Sequence, residues 1–121
     1  MKHILPLACL LAGLLIGCSK KEAAPEPLPL NQIATTLQTI TAKGPAESTA
    51  AASKVAAALK ANNTGEALEH LDTLSRLPAL TSKQREVVSR CRVTLITELN
   101  AAAERGDEQA ASTLSSRRAT K

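Results

Sequence analysis

Residues 81–106 read TSKQREVVSRCRVTLITELNAAAERG, and this stretch decides the fold. Val88, Cys91, Leu95, Leu99 and Ala102 recur at spacings of three and four, which sets them on one stripe of an α-helix. Thr81 with Gln84 matches a capping box, in which each side chain satisfies a backbone donor of the other's residue. Arg105-Gly106 closes the stretch. At about 1.5 Å per residue the helix runs roughly 35 Å, enough to be the backbone of a small domain.

The same periodicity extends upstream. Leu68, Leu71, Leu74 and Leu77 form another stripe, stopped by Pro78, which cannot continue a helix. Asn62-Asn63-Thr64-Gly65 separates it from a helix opening at Pro45, with Ala51, Val55, Ala58 and Leu59 inward. Before that, Leu30, Ile33, Leu37 and Ile40 line a first helix ending at Lys43-Gly44, a cationic last turn followed by a C′ glycine. Downstream, Asp107 caps a short helix carrying Ala110, Ala111 and Leu114. No segment alternates as a strand does. The expected fold is all-α: a small alanine-rich antiparallel helix bundle or helical-hairpin array over residues 30–116, with a basic tail at 117–121.

The chain has 121 residues, a formal net charge of +4 and no Phe, Trp or Tyr. That length fits one small domain. Without aromatic rings it builds neither base-stacking platforms nor cages for cationic ligands. Its small, scattered charge does not suggest a polyanion binder, so no nucleic-acid partner is expected. Residues 31–121 hold 10 Leu, 3 Ile and 4 Val beside 18 Ala. Alanine favours helix but buries little area, so a thin core, low stability and fraying ends are expected. A partner supplying further burial fits that composition.

At the other end, Met1-Lys2-His3 is a short basic start and Ile4 to Ile16 carries no charge. That is the pattern of a secretory signal, short for a membrane span. It finishes Leu15-Ile16-Gly17-Cys18, then turns polar at Ser19-Lys20-Lys21-Glu22. These residues resemble the lipobox of bacterial lipoproteins. The resemblance implies cleavage between Gly17 and Cys18, with residues 1–17 as signal peptide, a diacylglyceryl group on the Cys18 sulfur and membrane lipid as the anchoring partner. Ser19 stands where the family's retention signal would be Asp, which implies delivery to the outer membrane in a cell with two, facing the periplasm. Residues 18–29 would then be the lipidated cysteine and a tether. Its prolines at 25, 27 and 29 favour an extended spacer reaching on the order of 30 Å; a disordered linker with no length requirement is the other reading.

Two segments resemble one another: Thr64-Gly65-Glu66-Ala67-Leu68 with Leu71, and Gly106-Asp107-Glu108-Gln109-Ala110 with Leu114. Both resemble the opening of tetratricopeptide-type helical hairpins, although that family's large aromatic positions are empty here. The resemblance implies an array; a plain antiparallel bundle is the other arrangement these stripes allow.

Candidate chemistry is sparse. With residues 1–17 removed, His70 would be the sole histidine and Cys91 the sole free thiol, too few ligands for a metal site. Cys91 falls on the inward stripe, where a thiol behaves as a small hydrophobe. Carboxylate groups such as Glu66 with Glu69, or Glu104 with Asp107 and Glu108, lie at or near helix starts, where they favour the dipole or form local ion pairs. No glycine-rich phosphate loop is present. No catalytic residue, cofactor or metal is expected.

The basic side chains divide between two readings. On the long helix Lys83 and Arg90 flank one side of the apolar stripe, and Arg85 and Arg92 the other. They either snorkel over its rim or form an interaction surface, with Arg85, Arg90 and Arg92 as its residues. The terminal Lys121 resembles the lysine through which short helical lipoproteins are joined to peptidoglycan, which implies a structural tether as the alternative. The helix breaks at Gly44-Pro45, Gly65 and Pro78 depart from that family's continuous rod. The expectation from sequence is thus an envelope lipoprotein whose helical body is a non-catalytic binding or scaffold module for an envelope protein.

Overall fold

Why each helix begins and ends where it does is visible in its caps. The computed structural model describes residues 25–120; the signal segment, Cys18 and Lys121 lie outside the described residues. Within them run α1 (Leu30–Thr41), α2 (Ala46–Lys60), α3 (Thr64–Ser75), α4 (Ser82–Glu104) and α5 (Glu108–Ala119). No strand occurs among the described residues. The capping box of α4 is formed: Thr81 Oγ1 accepts from Gln84 N at 3.1 Å, and Gln84 Oε1 from Thr81 N at 2.8 Å. Asp107 Oδ1 accepts from the Gln109 and Ala110 amides to start α5. Asn63 starts α3 in the same way, accepting from Glu66 N at 3.1 Å.

α1 packs on α2 and α4, while α3 packs on α2 and α4. The ring therefore closes between α1 and α4, the pairing of an antiparallel four-helix bundle with short loops. α5 lies against α3 and α4, so those three also form a hairpin plus the opening helix of a next one. Ile33 and Leu37, Ala52 and Val55, Leu68, Leu71 and Leu74, and Cys91 and Leu95 are fully buried at the centre. Alanines 51, 52 and 58 keep α2 slim, with Val55 its one large buried aliphatic, while leucines of α1, α3 and α4 fill most of the interior.

Several expectations are corrected. Leu30 is 40 % exposed, and Leu28 takes the inward place in its stead. Proline at 29 holds the residue before it extended, so the chain crosses α4 before it coils. The Leu28 amide donates to Arg90 O at 3.5 Å, the Arg90 Nε to Glu26 O at 2.9 Å, and the Thr94 hydroxyl to Leu28 O. Residues 26–28, placed by the sequence in a free tether, are clamped to the body. Thr94→Val keeps the shape and removes the hydroxyl, leaving a buried carbonyl unpaired. We expect a loss of about 1 kcal/mol in chemical denaturation and faster hydrogen exchange at the Leu28 amide.

On α5, Ala110 is buried, Leu114 half-buried and Ala111 exposed. Leu77 lies beyond the end of α3 and is also half-buried. Gly44 does not adopt the left-handed C′ conformation; among the described residues that belongs to Asn62 (φ 56°) and Gly106 (φ 95°). At both, the next amide reaches back to the third-last helical carbonyl: Asn63 N to Ala58 O at 2.9 Å, Asp107 N to Ala102 O at 3.0 Å. These are Schellman turns. α1 ends earlier, at Thr41, because tertiary donors take its carbonyls. Gln84 Nε2 donates to Ile40 O at 2.8 Å and Thr49 Oγ1 to Thr41 O at 3.0 Å.

The look-alike segments also shift register. Gly106 is a turn residue, whereas Gly65 is the second residue of α3. A Cβ on Gly65 would sit 3.0 Å from Thr113 Oγ1. Its glycine is thus where α5 approaches α3 closely.

Candidate functional site

α3, α4 and α5 meet at a groove of about 520 Å³ lined by Asp72, Arg76, Arg92, Ile96, Asn100, Leu114, Arg117, Arg118 and Thr120. Helical spacing explains the set. On α3, Asp72 follows the buried Leu71 and so falls at the edge of the apolar stripe, with Arg76 one turn on. On α4, Arg92, Ile96 and Asn100 stand at i, i+4 and i+8, one position after the buried Cys91, Leu95 and Leu99. α5 closes the groove with Leu114, Arg117 and Arg118.

The chemistry centres on Asp72. Its Oδ2 lies 2.6 Å from Arg117 Nη1 and its Oδ1 3.1 Å from Arg92 Nη2. The Asp72 side chain is 13 % exposed, against 25 % for Arg117 and 45 % for Arg92. Oδ1 is buried, and Arg92 meets it by charge at an angle that makes no hydrogen bond. Arg76 and Arg118 are exposed and make no ion pair among the described residues. Four guanidiniums around one carboxylate leave the groove cationic, over a small apolar floor of Ile96 and Leu114.

The three arginines singled out from sequence are not brought together. Arg85 caps the end of α3, donating through Nη1 to Ser75 O and through Nη2 to Leu77 O, both at 3.1 Å. Arg90 clamps the N-terminal segment, as described above. Arg92 alone reaches the groove. Arg90 and Arg92 are two residues apart, about 200° around the helix, so the clamped segment and the groove lie on opposite flanks of α4. Arg117 and Arg118, expected in a basic tail at 117–121, instead belong to α5, which runs on to Ala119. Asp72 was not singled out; its i, i+4 spacing from Arg76 was the local signal available, although the two form no ion pair.

Cys91 is free and fully buried on the central stripe. Burial raises its pKa to about 11, against a smaller lowering by the neighbouring Arg90 charge, so it is a thiol at neutral pH. His70 faces Glu66 on its own helix, Nε2 to Oε1 at 3.4 Å. Among the described residues no three His, Cys, Asp or Glu side chains gather where they would hold a metal ion. None of the helices described is long and apolar enough to cross a membrane.

The raised thiol makes stability pH-dependent. The folded state keeps the Cys91 proton to about pH 11, while the unfolded chain loses it near 9.0. The native state thus binds more protons in that window, and stability falls as pH rises through it. At about 1.4 kcal/mol per unit, Cys91 accounts for roughly 2–3 kcal/mol lost between those values. Denaturation of the native protein and Cys91→Ala across this range should show the slope in the first and not the second. A parallel slope in both would place the proton elsewhere.

The chain matches no protein-family model, no curated protein and no solved structure.

Proposed function

We propose that this is a lipid-anchored protein of a bacterial cell envelope whose helical body is a non-catalytic binding module. Leu15-Ile16-Gly17-Cys18 supports the anchor, with Cys18 acylated and residues 1–17 removed. The observation that carries the binding reading is the cationic groove among α3, α4 and α5. The thiol is buried in the core and His70 pairs with Glu66, so the groove gathers charge without an acid–base pair or a nucleophile. Binding, rather than bond making, is what such a set performs.

If Cys18 carries the anchor, the clamp of Glu26 and Leu28 to α4 limits the reach. The eight steps from Cys18 to Glu26 extend at most about 29 Å, less than a free tether to residue 29. On this reading the body stays near the bilayer, with its groove on the flank of α4 away from the clamped segment. Photo-crosslinkers placed at Arg76 and Arg118, and at Lys54 on the exposed side of α2 as control, test this in native membranes. A recurrent adduct from the groove positions, on bait whose intact mass shows a diacylglyceryl-modified Cys18, supports the reading. Equal labelling from Lys54 would remove the groove from the function. Muropeptide mass on Lys121 would make the protein a peptidoglycan tether instead.

A further inference from the structure

We infer that the groove takes an acidic peptide segment of a protein partner, and that Asp72 occupies part of that site as an internal surrogate for one of the partner's carboxylates. This deepens the binding reading above and rests on it. Two arginines from different helices already converge on a single carboxylate, at 2.6 and 3.1 Å. Each meets it through one nitrogen, so what is pre-arranged is the convergence of two positive charges on a carboxylate-sized position, and guanidiniums suit such an anion. Arg76 and Arg118 flank this pair, exposed and without an acidic partner among the described residues. They offer two further positions for negative charge, spaced from α3 to α5.

The floor selects among anions. Ile96 and Leu114 are half-buried between the guanidiniums. A free phosphate leaves that apolar surface wet, and two side chains are too shallow a floor to cover an acyl chain. An acidic segment bearing one aliphatic side chain satisfies both, setting carboxylates on the rim and its apolar residue on the floor. Asn100 and Thr120 also line the groove; each donates to a backbone carbonyl of its own segment, which leaves their oxygens as acceptors for peptide N–H groups. The intramolecular carboxylate sets the cost of entry: a ligand that engages Arg92 and Arg117 must displace Asp72 from them.

The test is a titration of the full chain in detergent with a short labelled peptide of glutamate pairs separated by leucines. Saturable binding that weakens with salt is expected, as for charge pairing at an exposed rim. Arg76→Glu and Arg118→Glu change exposed residues that carry no intramolecular pair, so the fold is retained. Each is expected to weaken binding about tenfold. Asp72→Asn removes the surrogate and should tighten binding several-fold. A purely structural Asp72 would give unchanged or weaker binding as α5 loosens, which would overturn the surrogate role. The same peptide with lysine for glutamate should not bind. Equal binding of that peptide, or indifference to both charge reversals, overturns the proposal. Binding of inorganic phosphate or of phosphatidylglycerol vesicles through these arginines, without the peptide, also overturns it. Because the titration does not depend on acylation, its failure is distinct from failure of the anchor at Cys18, which intact mass reads separately.

Discussion

Leu95→Asp is expected to unfold the helical body. Leu95 is fully buried at the centre of α4, where that helix faces α1 and α3. Loss of the leucine alone costs about 3 kcal/mol, and an unpaired carboxylate at the same point costs several more. A domain of this size has on the order of 5–15 kcal/mol to lose, and one whose α2 buries mostly alanine stands near the low end. Far-UV circular dichroism should show collapse of the helical signal with no cooperative melt. Leu95→Ala gives a graded version, lowering Tm by roughly 10–25 °C. Thr97→Asp, exposed and two residues away, should melt close to the native protein. If Leu95→Asp melts normally too, the closed packing of α1 to α4 is wrong.

Cys18→Ser is expected to abolish acylation entirely. One acyl chain holds a protein only marginally, with an association constant on the order of 10⁴ M⁻¹. Further chains on the same residue multiply that to stable anchoring, and serine offers no thiol for the first of them. Labelled fatty acid should enter the native chain and not the variant. Intact mass identifies any variant chain that keeps residues 1–17. Its uncharged stretch Ile4 to Ile16 then still favours the membrane. A companion with residues 1–17 exchanged for an ordinary cleaved signal separates the two causes; with Ser at position 18 it should appear in the soluble fraction. Fatty acid incorporated into Cys18→Ser would end the lipoprotein reading.

The groove gives the thin core a functional sense. α5 contributes one fully apolar buried residue, Ala110, and is otherwise held by Leu114, by the approach of Thr113 to Gly65 and by Arg117 on Asp72. An element with so little buried area opens at low free energy. It forms one wall of the groove proposed to take an acidic peptide. A ligand that drew Arg117 away from Asp72 would therefore loosen one of the contacts that dock α5.

What the sequence determined by itself is the part governed by local interactions. Val88, Cys91, Leu95 and Leu99 sit on their stripe because 3.6 residues make a turn, and all four are buried. Thr81 with Gln84, and Asp107, cap their helices because each reaches amides two or three residues away. Tertiary structure decided the rest. Leu28 replaced Leu30 in the core because α4, more than sixty positions away, offered Thr94 and Arg90 to its backbone. Gly65 was left without a side chain because Thr113 of α5 lies against it. Arg85 and Arg90, alike on paper to Arg92, were taken up by carbonyls of other segments. Asp72, Arg92 and Arg117 became neighbours only when three helices closed together, since a guanidinium's partner is set by distance in space and the sequence records distance along the chain alone.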